Sequence, residues 1–527
     1  MRTKNKHFMR LYSILLTTGL VIGLCGCGNN SEVGNSTQES VQAVTEAETE
    51  DESREQAEQT EEETEKKDTS SNDLEEVSDS TSFIKKEDVQ ISETYKDSSD
   101  GGHAIEADGE TAEYSNIAVT KTGEADGDEA DFYGENAAIF ATNGATLTLD
   151  EITVDTDGTH ANGVFSYGEG TTVNISDSYI YTKNNCSGGL MTTGGGTMNA
   201  TNLTILTDGN SSAAIRSDRG GGTVNVTKGS YTTNGTGSPV IYSTADITVN
   251  DATLTSTASQ GVVVEGQNSV TLNNVALTAD NNTKNSDKSD YYQAVMIYQS
   301  MSGDADEGTA SFAMNGGSLI NKNGDIFFVN NTVATISLSG VKIQNNDSDG
   351  VFLRAAAAGW GSEGTNGGNV NLYADSQTID GDIVVDEISA LNLYLSNGSS
   401  LTGSINADNE GNVYVEIESG STWKLTGDSY ITSLTCDASA IDLNGYSLYV
   451  NGEKYQDGTS STGSEVDFIL STSANGDRPD APPDGNQGNK PDGNGKNDGE
   501  TPPEPPEGFD GQTPPDKPDG DPPEKPN

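Results

Sequence analysis

A small, small, apolar step recurs at Asn136-Ala-Ala-Ile139, Ala161-Asn-Gly-Val164, Ser187-Gly-Gly-Leu190, Ser212-Ala-Ala-Ile215 and Ser238-Pro-Val-Ile241, with the aliphatic anchors 25, 26, 25 and 26 residues apart. A fixed period of this length marks stacked units, none of which buries its apolar face alone. Each unit also carries two alternating segments, such as Thr223-Val-Asn-Val-Thr227 after Ile215 and Ala245-Asp-Ile-Thr-Val249 after Ile241. Three short strands per period make one turn of a β-solenoid.

The step continues at Val262, Val295, Ile326 and Val351 with irregular spacing, so the coils near 281–293 and 300–308 must carry extra loop. Beyond these, Leu391-Asn-Leu-Tyr-Leu395 and Val413-Tyr-Val-Glu-Ile417 keep the alternation but lose the small entry. The expected fold is all-β, a single-stranded parallel β-helix of about 12–14 coils within 81–470.

Proline sets the limit of the ladder. Of 15 prolines, 14 lie between Pro479 and Pro526. A continuous ladder uses every backbone N–H, and proline has none to donate. The segment 471–527, acidic and rich in Gly and Pro, lacks the apolar side chains to offset its ordering entropy and is expected to be an extended tail.

At the other end, basic Met1-Arg-Thr-Lys-Asn-Lys6, an apolar run from Leu11 to Leu24 and Leu24-Cys-Gly-Cys27 form a secretory signal, too short to span a membrane. This resembles a bacterial lipoprotein signal, which implies cleavage before Cys27 and lipid attachment to it. Residues 1–27 are then a signal peptide. Within 28–80, the stretch 31–80 holds 18 acidic residues against Arg54, Lys66 and Lys67, the composition of a solvated stalk. The expected location is the cell surface, with the membrane contacted through the N-terminal lipid only.

A net charge of -56 removes nucleic acid from the partners, because phosphate binding needs a basic surface. It leaves neutral glycans and cations. After the signal only Cys186 and Cys436 remain. At roughly 4.8 Å per coil they stand on the order of 45 Å apart, beyond the reach of a disulfide, and they read as small buried side chains or free thiols.

The stretch from about 115 to 455 resembles a right-handed parallel β-helix of the pectin-lyase-like kind. Ser212-Ala-Ala-Ile-Arg-Ser-Asp-Arg-Gly-Gly-Gly-Thr-Val-Asn-Val226, with Ser238-Pro-Val-Ile-Tyr-Ser-Thr-Ala-Asp-Ile-Thr-Val249, is similar to a family of exported bacterial β-helix proteins. Ser421-Thr-Trp-Lys-Leu-Thr-Gly-Asp-Ser-Tyr-Ile-Thr-Ser-Leu434 resembles late coils of autotransporter-type passenger domains. The resemblance implies a fold that hosts polysaccharide lyases and hydrolases, adhesins and glycan-binding lipoproteins alike, so it leaves function to the site.

Strand alternation locates candidate sites. With the anchors inward, the next residues form an outward column: Phe140, Phe165, Met191, Arg216, Tyr242, Val263, Met296, Phe327 and Phe352. A second column follows two residues on, with Thr142, Tyr167, Thr193, Asp218, Thr244, Glu265, Tyr298, Val329 and Arg354. Aromatic faces beside hydroxyls and scattered charges suit sugar rings, so Phe140, Phe165, Tyr167, Arg216, Asp218, Tyr242, Tyr298, Phe327 and Phe352 are the expected ligand contacts. Trp360, on the Gly-rich loop Ala355-Ala-Ala-Ala-Gly-Trp-Gly361, joins them.

The expectation is a lipid-anchored, adhesin-like surface protein that binds an extracellular polysaccharide along this stripe. Two alternatives stand beside it. A calcium-dependent polysaccharide lyase needs clustered carboxylates and a basic residue, and Arg216, Asp218, Arg219 and Glu265 are the only nucleus for one. A surface rod without a ligand needs no site. Calcium is the one cofactor suggested, through Asp126, Asp128 and Asp131 in one Gly-containing loop and Asp304 and Asp306 in another.

Overall fold

The alternation of Val, Ile, Leu and Thr on a period of two gives strands that bury one face, and the repeat stacks them in parallel. The computed structural model describes residues 83–468. The expected signal with Cys27, the expected acidic stalk and the expected Pro-rich tail lie outside these residues.

The described chain is a parallel β-helix. One sheet stacks 11 strands, from Ile105–Asp108 to Ile383–Val385, each contributed by a successive coil. The anchors pair along it: Ile139 with Val164, Val164 with Leu190, Leu190 with Ile215, Ile215 with Ile241, Ile241 with Val262 and Val262 with Val295. All seven are buried in one continuous core. A sheet of 21 strands carries the remaining two segments of the earlier coils, and from Thr378–Asp380 onward one of them passes to a separate four-stranded sheet. On the outer surface of the larger sheet Asn174, Asn199 and Asn225 form an amide ladder, each Nδ2 donating to the preceding Oδ1 at 3.0 Å.

The register corrects two anchors. Val295 pairs with Phe327, and Phe327 with Leu353. Ile326 and Phe352 are buried one residue earlier, at the corner that Ala138 and Ala214 fill in early coils. Counting from the nearest aliphatic residue therefore slips by one at Ile326, and a one-residue slip exchanges the two faces of a strand. Phe327 and Phe352 point into the core and pack edge-on at 5.5 Å. The outward column instead continues as Met296, Phe328 and Arg354. Val329 is likewise inward.

No disulfide joins Cys186 and Cys436; Cys436 is a free, buried thiol.

Candidate functional site

The outward column is continuous but not bare. Phe140, Phe165 and Met191 are buried against one another and Ala137, with Tyr167 at their edge. What buries them is the segment 124–135, which leaves the coil and returns through the short helix Asp128–Phe132. Three contacts hold it down. His160 is buried with Nε2 at 2.9 Å from Asp131 Oδ1 and Nδ1 at 2.8 Å from the Ala125 carbonyl. Thr193 donates to the Phe132 carbonyl at 2.7 Å, and Tyr133 packs edge-on to Tyr167 at 5.8 Å.

A second set of insertions stands over the later coils. Segments 281–292 and 356–367 meet where the Gly359 N–H donates to the Lys288 carbonyl at 2.7 Å. The Arg354 guanidinium lies 4.1 Å from the centre of the Tyr291 ring while donating to Asp325 at 2.6 Å. Trp360 is buried, with its ring edge-on to Tyr298 at 5.3 Å. Beneath them Tyr242, Val263, Met296 and Phe328 continue the column as a second apolar cluster.

Between the two covers the face opens. A hollow open to solvent, with about 510 Å³ of space in it and at its mouth, has Tyr242, Val263, Met296 and Tyr298 in its walls with Ala213 and Pro239, and Ser211, Arg216, Gln260 and Asn285 as its polar members. Gly237 lies at its edge with φ +64, and a Cβ there would come within 2.5 Å of the Asn285 side chain. Both the left-handed backbone and the close approach require glycine. A second such hollow, of about 390 Å³, shares Gly237, Gln260, Asn285 and Met296 with the first and runs under 281–292 to Trp360. The two form one cleft.

Carboxylates lie beneath the cleft, and Arg216 reaches from its wall to one of them. Asp218 is fully buried and accepts a hydrogen bond from Arg216 Nη2 at 2.8 Å. Burial pushes its carboxyl up to about 7 against the pull of Arg216. Glu265 is also fully buried and accepts from the hydroxyls of Tyr242 and Tyr298, the latter at 3.1 Å. Burial raises its pKa despite these hydrogen bonds. Arg219 donates to Asp304 at 2.6 Å and to Asp128 at 3.0 Å, and its guanidinium sits 3.8 Å from the Phe132 ring centre. It therefore ties the segment 124–135 to the 300–308 loop.

The expected site residues divide accordingly. Arg216, Tyr242 and Tyr298 line the cleft and Trp360 its far end. Asp218 and Glu265 lie behind the walls, so Arg216, Asp218 and Glu265 come together as a buried charge network and not as carboxylates presented to a substrate. Phe140 and Phe165 are under the first cover, and Phe327 and Phe352 are in the core. The loop carboxylates are engaged singly: Asp128 and Asp304 with Arg219, Asp131 with His160, Asp126 with the Gly127 N–H at 3.0 Å, and Asp306 at 3.5 Å from Gln267. Among the described residues no group of three or more His, Cys, Asp or Glu is placed to hold a metal ion. Ser211, Gln260 and Asn285 escaped the column argument because they lie on corners and insertions, where strand parity says nothing, and Gln293 because it opens its strand ahead of the anchor Val295.

Compared with protein-family descriptions, with curated proteins and with solved structures, the chain has no match.

Proposed function

We propose that this is an exported, lipid-anchored surface protein that binds a glycan in the cleft between its two covers. One observation carries the proposal: Tyr242, Tyr298 and Met296 form apolar walls beside the neutral hydrogen-bonding side chains of Ser211, Gln260 and Asn285. Sugars offer C–H faces to such walls and hydroxyls to such amides, and few other ligands use both in alternation. The chain's net charge of -56 favours an uncharged partner over an anionic one. Cys27, in Leu24-Cys-Gly-Cys27, is the attachment point.

The proposal replaces a stripe along the rod by a bounded site, so it predicts recognition of a short oligosaccharide or a chain end. The test is binding of neutral hexasaccharides of glucan, xylan and mannan type to the wild type and to Gln260→Ala/Asn285→Ala. Both side chains are on the cleft's margin and their loss leaves the core intact. At least a tenfold loss of affinity in the double variant supports the site, about the value of one or two hydrogen bonds. Equal affinity places the glycan elsewhere.

A further inference from the structure

The two tryptophans of this chain differ in one respect. Trp423 is fully buried and its indole Nε1 donates to the Gly403 carbonyl at 2.9 Å. Trp360 is 2% exposed, yet its Nε1 has no hydrogen-bond partner among the described residues. Gln293 is likewise 2% exposed, and its Oε1 has none either. Buried donors and acceptors are nearly always satisfied, and an exception asks for an explanation. These two are on different elements, Gln293 opening the strand Gln293–Tyr298 and Trp360 on the 356–367 insertion, and both line the hollow beneath 281–292.

Their chemistry is complementary. An indole N–H only donates and a Gln oxygen only accepts. A hydroxyl does both, so a polyhydroxylated ring satisfies the pair, whereas a carboxylate or phosphate satisfies the indole and is repelled by the amide oxygen. The surroundings agree. Lys284 is paired with Asp290 at 3.2 Å, Lys288 lies 5.8 Å from the Trp360 ring centre, and Asn281, Thr283 and Ser286 are neutral. The strand face contributes Met296, and Tyr291 and Tyr292 come from the insertion.

We propose that Trp360 Nε1 and Gln293 Oε1 are the hydroxyl-reading end of the cleft and take the terminal ring of a neutral oligosaccharide. This rests on the glycan reading of the cleft and adds the ligand's polarity and which end of the cleft reads its terminus. The terminal ring fills the hollow under 281–292, and the next units extend across Gln260 and Asn285 toward Arg216. The insertions that interrupt the coil period are then the parts that create specificity.

The Trp423→Phe protein keeps Trp360 as its sole indole, so emission reports on this position alone. It is titrated with the neutral hexasaccharides and, in parallel, with hexagalacturonate. The expected result is a shift of Trp360 emission with a neutral hexasaccharide and none with hexagalacturonate. In the otherwise native chain, Trp360→Phe and Gln293→Met each weaken neutral binding by roughly tenfold, the value of one hydrogen bond. Trp360→Phe removes a donor that has no partner among the described residues, so its melting temperature stays within about 2 °C of wild type. A merely structural tryptophan would instead lower it. If neutral hexasaccharides bind the wild type and both variants equally, the terminal assignment is overturned while the cleft proposal stands. Binding of hexagalacturonate alone overturns the neutral assignment. If no oligosaccharide binds the wild type, the cleft proposal fails and takes this one with it.

Discussion

The same outward column is sealed at one end and open at the other. Over Phe140, Phe165 and Met191 a single segment closes down, tied through Asp131 to His160 and through Phe132 to Thr193. Over Tyr242, Val263 and Met296 the cover is assembled from insertions that touch each other, Gly359 with Lys288, and the coil, Tyr291 with Arg354. Large rings under a one-piece cover leave no room, whereas a smaller floor of Ala213 and Val263 under an arched cover leaves a cleft. The cleft thus lies where the period fails: the regular coils supply a rigid floor and the irregular ones the walls.

Substitutions along this one column test the contrast. Phe165→Ala, under the sealed end, should cost about 3–5 kcal/mol in denaturant unfolding, as for a fully enclosed aromatic side chain. For the same residue at both ends, Met191→Ala under the sealed end should cost about 3–4 kcal/mol and Met296→Ala, which borders the cleft, about 2 kcal/mol. Equal costs would show that the two ends are packed alike.

Arg219 is where the ends are joined. Arg219→Ala leaves Asp304 buried beside Asp218 and Glu265 without its guanidinium, and about 3 kcal/mol of stability should go with it. Faster hydrogen exchange should follow in both 124–135 and 300–308. Exchange confined to one segment would mean that the covers are independent.

The buried acid beneath the open end gives a smaller, pH-dependent signature. The Asp218 carboxyl is held up to about 7 in the folded protein, whereas in the unfolded chain it titrates near 4. Between these values the folded state holds the extra proton, so the contribution to stability is greatest near pH 4 and is lost as pH rises to 7. Asp218→Asn should remove this dependence and narrow the melting-temperature difference between pH 5 and pH 8 by about 2–4 °C. An unchanged difference would show that Asp218 is ionised throughout. Smallest of all, Tyr373→Ala should change stability by less than about 0.5 kcal/mol and leave binding intact. Its ring is 42% exposed, on a different face, and stacks only on Tyr394 at 4.7 Å.

The period in the sequence was enough to reach the stacked parallel strands, the inward anchors from Ile139 to Val295 and the outward placement of Arg216, Tyr242 and Tyr298. Period-two alternation is a local property, and every coil enforces it through its own burial. Three things were beyond that argument. The parity after Met296 depended on whether Ile326 or Phe327 occupied the strand position, and two adjacent apolar residues do not decide it. Burial of the stripe came from 124–135, whose return over Phe140 is a long-range contact without a local pattern. Gln293 and Trp360 were brought to one hollow by the 281–292 insertion, whose length was visible but whose path was not.

Hydrogen exchange of the full chain, with and without a saturating neutral hexasaccharide that binds it, tests the central claim most directly. The account predicts slowed exchange in 213–216, 237–242, 260–263, 285–298 and 358–361, with 140–167 and 371–414 unchanged. Protection along 371–414, or evenly along the rod, would contradict it and return the ligand to an open face.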